Sequence, residues 1–206
     1  MPVEALTLLA FLPAALALNL TPGADMMFTL GQGLKGGWRA GQAANLGIAV
    51  GCMVHVLLAA LGLAAVLKTH PAAFEAVRWA GVLYLLWLAV QSLRSGIATP
   101  KEVAKQSSLR IFREALVVNL LNPKVIFFIL SFLPQFVDPS RPVLPQFLLL
   151  GLVFCAGGFV VNGIVGGFAS TIGAKLAASA RLSRWLGRVT AGIFTMLALR
   201  LAVMER

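Results

Sequence analysis

The sequence contains little charge. Only 12% of its 206 residues are Asp, Glu, Lys or Arg, whereas about a quarter of the residues of a soluble domain are charged. Hydrophobic residues make up 59% of the chain, and the mean hydropathy is +0.90. A soluble chain of this length could not bury so much apolar surface in one core, but a bilayer allows the outer face to stay apolar. The composition therefore predicts an integral membrane protein.

Groups that carry enzyme chemistry are also scarce, with two His, two Cys and seven acidic residues in all. No His, Cys and acidic residues share a metal-ligand spacing, and the sequence has no glycine-rich phosphate loop and no Ser/His/Asp set. We therefore expect no enzyme activity and no cofactor. Cys52 and Cys155 each lie in an apolar run. We interpret them as small buried hydrophobic residues rather than as disulfide partners.

The net charge of +10 comes from basic residues that flank the apolar runs without interleaved aromatic residues. This distribution is typical of membrane topology signals and excludes a nucleic-acid-binding surface. Most of the Lys and Arg residues fall in the first, third and fifth predicted loops. The positive-inside rule then predicts that these loops are cytoplasmic and that both termini face outward.

Six apolar segments are each long enough to cross a bilayer, which takes about 20 residues in a helix. They cover about residues 5–34, 41–67, 74–93, 112–137, 143–170 and 184–203. The loops between them are too short for a soluble domain. The pattern predicts an all-α integral membrane protein with six transmembrane helices in a single transmembrane domain, residues 1–206.

A short motif recurs about half a chain apart. Span one contains Asn-Leu-Thr-Pro-Gly at residues 19–23, and span four contains Asn-Leu-Leu-Asn-Pro at residues 119–123. Because each half, about 1–100 and 105–206, would contain three spans, an odd number, the two halves would form an inverted repeat, as in many secondary transporters. Each proline would break its helix, with Thr21 and Asn122 as N-caps of a second half-helix. A harmless proline kink is the alternative.

Two charges lie deep in these broken spans. At a helical rise of 1.5 Å per residue, Asp25 and Lys124 each lie about 15 Å from the cytoplasmic side. At this depth a charged side chain raises the free energy of membrane insertion by at least about 2.5–3.5 kcal/mol. We expect them to share a cavity in which Asp25 accepts an ammonium group or a proton and Lys124 binds a carboxylate. The alternative is a structural ion pair that joins the two halves.

Other polar residues in the spans have two interpretations. His55 would relay protons or make an interhelical hydrogen bond. Asn45 and Asn162 are interpreted as interhelical contacts, and the GxxxG pairs as packing positions. The candidate substrate- and ion-binding residues are Asn19, Thr21, Pro22, Gly23, Asp25, His55, Asn119, Asn122, Pro123 and Lys124.

The motifs resemble those of a known family. The run from Thr21 to Asp25, the run from Asn119 to Lys124 and the later run from Phe132 to Phe136 (Phe-Leu-Pro-Gln-Phe) are similar to the LysE/RhtB family of amino-acid exporters. The sequence departs from the family pattern at Ala24, where members often have a second proline. The resemblance implies efflux of amino acids or their derivatives across a bacterial inner membrane, driven by protons, and a homo-oligomer, most simply a homodimer.

The first hypothesis is therefore a proton-coupled exporter of amino acids or similar small zwitterions that works by alternating access. A transporter of another solute, such as a metal cation or an inorganic anion, is a second hypothesis. One deep carboxylate without other acidic or thiol ligands argues against the metal. The third is a membrane scaffold without transport activity, in which an apolar pair could replace the two charges.

Overall fold

The computed structural model describes residues 2–69 and 106–169 continuously, and isolated helical positions between 79 and 90 and between 185 and 202. Every regular element in these parts is helical. The helices are α1 (Ala5–Leu20), α2 (Ala24–Thr69), α3 (Ser108–Leu120), α4 (Pro123–Phe127) and α5 (Val143–Gly167). A π-helical turn, Phe128–Phe132, and a 3-10 turn, Leu133–Phe136, extend α4. The all-α prediction is confirmed for this part of the chain.

Two of the described helices are long and apolar enough to cross a bilayer, namely Ala24–Gly62 within α2 and Val143–Gly167. The helical segments Ser108–Leu120 and Pro123–Phe136 are bent by 50° relative to each other. Taken together as one span, they are also long and apolar enough to cross a bilayer. The predicted spans three and six, 74–93 and 184–203, are described only at isolated helical positions. The count of six helices stays a prediction.

A kink divides α2 into two arms. A straight helix of its 46 residues would be about 69 Å long, more than twice the thickness of a bilayer's hydrocarbon core. At Gly37 the backbone leaves the helical region, with φ 68° and ψ −161°. This combination is essentially restricted to glycine. The kink falls between predicted spans one and two, 5–34 and 41–67, as expected for the first loop.

The first predicted break is present, but Thr21 has a different role from the predicted one. Its hydroxyl donates to the carbonyl of Ala17 at 2.6 Å, and its backbone N–H donates to the same carbonyl at 3.0 Å. Thr21 therefore caps the C-terminus of α1 and is not the N-cap of α2. The first backbone bond of α2 runs from the N–H of Met27 to the carbonyl of Gly23. Pro22 lies inside the break, because the following Gly23 delays the new helix.

The second break matches the prediction closely. α3 ends at Leu120, and α4 begins at Pro123 with Asn122 as its N-cap. The Asn122 side chain accepts a hydrogen bond from the N–H of Lys124 at 3.0 Å. Proline at the first helical position costs nothing, because that N–H would be unpaired in any case.

Helices α2 and α5 run antiparallel along a line of small residues. Gly41 meets Gly166, Cys52 meets Cys155, and Val56 meets Gly151. A Cβ added to Gly41 would overlap the carbonyl of Gly166. Lipid provides no hydrophobic drive for helices to associate, so close backbone approach has to supply the packing energy. The predicted GxxxG pairs also pack closely: Gly47 and Gly51 meet α3, and Gly163 and Gly167 meet α2, so their interpretation as packing positions is confirmed.

Aromatic side chains fill the core between α1, α4 with its extension, and α5. The ring of Phe128 lies 4.6 Å from that of Phe154 and 5.1 Å from that of Phe132, measured between centroids. Phe11 of α1 meets Phe136 edge-to-face at 5.2 Å. Leu18 of α1 belongs to this core, whereas five other leucines of the helix face outward, with Leu6 78% exposed. An apolar outer face around a packed core is what a bilayer requires.

The loop before α5 is tied to the start of α1. Arg141 contacts Glu4 at 2.7 Å and Asp138 at 3.3 Å. The buried Gln146 side chain bonds the backbone N–H and carbonyl of Asp138, both at 2.9 Å. Hydrogen bonds from Ser140 lower the pKa of Asp138 below its usual value. Polar contacts at this end thus fix α1 against the second half of the described chain.

Candidate functional site

Asp25 lies in the first turn of α2, immediately after the break, and is 6% exposed. Its Oδ2 atom accepts a hydrogen bond from Asn119 Nδ2 at 2.9 Å. Its Oδ1 atom is buried and has no hydrogen-bond partner within the described parts of the chain. An unpaired buried carboxylate oxygen is costly, so Asp25 offers a strong acceptor to a cationic group that enters the site.

Lys124 follows Pro123 at the start of α4. Its ammonium group donates to the carbonyl of Leu18 at 3.1 Å and to that of Thr21 at 2.9 Å. In an unbroken helix the Leu18 carbonyl would accept from the N–H of residue 22, but Pro22 has none. The Leu18 carbonyl still accepts from the N–H of Thr21 at 3.2 Å, so the lysine adds a second bond there and one bond at the Thr21 carbonyl. A third ammonium proton remains available, because an ammonium group has three donors.

Asp25 and Lys124 line one cavity, together with Asn19 and Asn119. The cavity has a volume of about 30 Å³, room for about two water molecules, so its walls have to move apart before a ligand as large as an amino acid can enter. The remaining wall is largely apolar and consists of Met26, Ile48, Ala49, Cys52, Val125, Phe154, Cys155, Gly158, Phe159 and Asn162. One end of a ligand would meet polar groups and the rest apolar side chains.

The two charges share the cavity without forming an ion pair. No nitrogen–oxygen contact within 4.0 Å joins Lys124 to Asp25, and both residues belong to the described part of the chain. The structure therefore does not contain the direct ion pair between Asp25 and Lys124 that was the alternative interpretation. The carboxylate is held by an amide and the ammonium by backbone carbonyls, so each charge keeps hydrogen-bonding capacity for a ligand.

Asn119 connects Asp25 to His55. The Asn119 side chain donates to Asp25, and its backbone carbonyl lies 3.2 Å from His55 Nε2. Because a carbonyl can only accept, His55 carries its proton on Nε2 in this contact. His55 does not line the cavity. The observed contact is the interhelical hydrogen bond that was one of its two interpretations.

Five other predicted residues lie at the two breaks and do not line the cavity, namely Thr21, Pro22, Gly23, Asn122 and Pro123. Thr21 contributes its carbonyl to Lys124, and Gly23 packs directly beneath that side chain, where a Cβ would lie 3.0 Å from Nζ. Pro22, Asn122 and Pro123 shape the two breaks. Asn19, which does line the cavity, donates from Nδ2 to the carbonyl of Phe154 at 3.1 Å.

Sequence reasoning missed the contribution of α5 to the site. Asn162 was interpreted as an interhelical contact, but it lines the cavity, and its Oδ1 is buried without a hydrogen-bond partner among the described residues. Asn45, in contrast, makes the expected interhelical bond, from Nδ2 to the carbonyl of Phe159 at 3.0 Å. The helical spacing of Cys155, Gly158 and Asn162 places them on one face, but the sequence does not show that this face meets α2 and the cavity.

The interpretation of the cysteines as unbonded hydrophobic residues is wrong. Cys52 and Cys155 form a disulfide with their Cα atoms 6.0 Å apart. Their apolar surroundings gave no sign of pairing, because only the antiparallel packing of α2 and α5 brings them together.

The described residues contain no group of three or more His, Cys, Asp or Glu that could hold a metal ion.

Comparison with known proteins agrees with a transport role. The family model described as "LysE type translocator" matches residues 16–205. A homoserine/homoserine lactone efflux protein of Salmonella typhi is 35% identical over 69% of this chain and 70% of its own. A leucine efflux protein of Salmonella choleraesuis is 33% identical over 64% of each chain.

An uncharacterized membrane protein of Vibrio cholerae is 34% identical over 70% of this chain and 71% of its own. No solved structure matches the chain. The family model covers nearly the whole sequence, and the predictions of the family and of a non-enzymatic protein are confirmed. The chain is a membrane transport protein and not an enzyme, and it belongs to the LysE family of translocators.

Proposed function

We propose that this protein exports amino acids or closely related small zwitterions across the bacterial inner membrane. The observation that carries the proposal is the cavity shared by Asp25 and Lys124, in which the two charges are not paired with each other. Asp25 Oδ1 would accept from the substrate's ammonium group, and the third Lys124 proton would bond its carboxylate. The names of two relatives, for homoserine and leucine efflux, support this substrate class.

The apolar wall would receive the substrate's side chain. Met26, Val125 and Phe154 line the cavity beside the charged residues. Gly158 leaves room near Asn19, since a Cβ there would lie 3.1 Å from Asn19 Oδ1. A short, neutral side chain suits such a wall better than a charged one, because a second charge would be buried without a partner.

Transport would proceed by alternating access between two inverted halves, each containing one broken helix. The matched breaks at residues 21–23 and 121–122 support this arrangement. Asp25 would also carry the coupling proton, which competes with the ammonium group for the same carboxylate. We expect six spans with the odd loops cytoplasmic, in a homo-oligomer whose simplest form is a dimer.

The proposal is tested by amino-acid export from a sensitised bacterium. Cells that lack their own exporters are loaded with dipeptides, and the external concentration of each released amino acid is followed with and without this protein. We expect one or a few neutral amino acids to leave the cells faster when the protein is present. An uncoupler should abolish this increase in the export rate. If no amino acid leaves faster while the protein is present in the membrane, the substrate class is wrong. If efflux continues unchanged with the uncoupler, the proton coupling is wrong.

A further inference from the structure

The disulfide between Cys52 and Cys155 is a covalent link between α2 and α5, two helices that belong to different predicted halves of the protein. The two cysteines are 103 residues apart in sequence and are the chain's only ones. Every thiol-specific measurement on this protein therefore reports on this pair alone.

The pair lies in the wall of the candidate site. Cys52 and Cys155 line the same cavity as Asp25 and Lys124. The two side chains are nearly buried, at 6% and 5% exposure. A reagent that enters this cavity would meet both cysteine side chains.

The bond restricts how far the helices can separate at the site. A disulfide tolerates Cα–Cα distances up to about 6.8 Å, and the distance here is 6.0 Å. The two helices can therefore part by less than about 1 Å at this point while the bond exists. One turn away along each helix, Val56 packs directly on Gly151, and this contact can separate without breaking a covalent bond.

We propose that the Cys52–Cys155 pair is a redox-sensitive lock on transport, closed as a disulfide and open as two thiols. The inference rests on the proposed function, because the lock acts by preventing α2 and α5 from moving apart during the transport cycle. It needs a small-molecule disulfide as oxidant. One cysteine thiolate attacks the small disulfide and releases one thiol, and the second cysteine displaces the other thiol. Two electrons pass to the oxidant, and its two thiols carry away both protons. A dithiol reductant reverses the exchange.

The test uses purified protein in liposomes loaded with radiolabelled homoserine or leucine. Export is measured after treatment with dithiodipyridine, a small aromatic disulfide, and again after dithiothreitol. A parallel sample is denatured and labelled with maleimide-polyethylene glycol, which adds one gel shift for each free thiol. The matched control is the double variant Cys52→Ser/Cys155→Ser, with Cys52→Ser alone as a second protein that cannot form the bond.

We expect oxidised wild-type protein to show no free thiol and to export at the rate of empty liposomes. Dithiothreitol should restore two free thiols together with export, and the serine variants should export equally under both conditions. Equal export by oxidised and reduced wild type, with the bond shown to form, would overturn the lock and leave the exporter intact. Two free thiols after oxidation would also overturn it. If neither wild type nor variants export in dithiothreitol, the proposed function fails, and the lock fails with it.

Discussion

At the scale of single residues, Lys124 takes the place of a backbone donor that proline removes. Pro22 leaves the Leu18 carbonyl without its helical partner, and the ammonium group of Lys124 bonds it from a different helix at 3.1 Å. The same side chain lies in the cavity wall. A residue that stabilises the break is thereby held next to Asp25, so the break and the binding site depend on one another.

Replacing Lys124 by methionine should abolish export and lower stability. Methionine keeps a similar length, but it removes one of two hydrogen bonds to the Leu18 carbonyl and the Lys124 bond to the Thr21 carbonyl, and a buried carbonyl left unpaired costs roughly 1–3 kcal/mol. Export assays and the unfolding midpoint in detergent would measure the two effects. Lys35→Met, a basic residue next to the kink, is the control and should export normally. Full export by Lys124→Met would show that this charge does not bind substrate.

Asn119→Ala should reduce export by releasing Asp25. The substitution removes the donor at 2.9 Å from Asp25 Oδ2, so both carboxylate oxygens are then buried without a fixed partner. Asn45→Ala is a matched control, because it removes a similar amide bond to the Phe159 carbonyl but no partner of a charge. Both variants should have a slightly lower unfolding midpoint in detergent. Only Asn119→Ala should export poorly at equal protein levels. Equal export by the two variants would refute a positioning role for Asn119.

At the scale of helices, sequence reasoning located both breaks but described only one correctly. In the second, asparagine directly precedes proline, so an N-cap and a first helical residue stand side by side. In the first, Gly23 follows Pro22, and the new helix starts at Ala24, two residues after the proline. Thr21 is then free to bond back to Ala17. A difference of two residues decided which helix the hydroxyl caps, and composition does not encode that choice.

Packing of α2 on α5 should tolerate no side chain at Gly41. A valine there would overlap the carbonyl of Gly166, and overpacking typically costs about 1–3 kcal/mol. Gly62→Ala is the control, because nothing in the described part of the chain lies within 4 Å of a Cβ added at Gly62. Alanine in a helix interior gains about 0.5–1 kcal/mol over glycine. Unfolding midpoints in detergent should fall for Gly41→Val and rise slightly for Gly62→Ala. An unchanged midpoint for Gly41→Val would contradict the observed helix approach.

At the scale of the whole molecule, the features that depend on local chemistry could be predicted from the sequence. Long apolar runs predict membrane helices, and a charge placed deep in such a run indicates function because of its cost. The disulfide and the role of Asn162 could not be predicted in this way. Both depend on which faces of α2 and α5 meet, a property of tertiary packing between residues more than a hundred positions apart.

The most direct test of the central claim is amino-acid export from dipeptide-loaded cells by Asp25→Asn. The amide keeps the shape of the side chain but cannot hold a cation or a proton in the same way. Asp138→Asn is the matched control, since that carboxylate lies at the surface between α4 and α5. The account predicts that Asp25→Asn exports at the rate of cells without the protein, while Asp138→Asn exports like wild type. Wild-type export by Asp25→Asn, at equal protein in the membrane, would contradict the claim that Asp25 binds the transported solute.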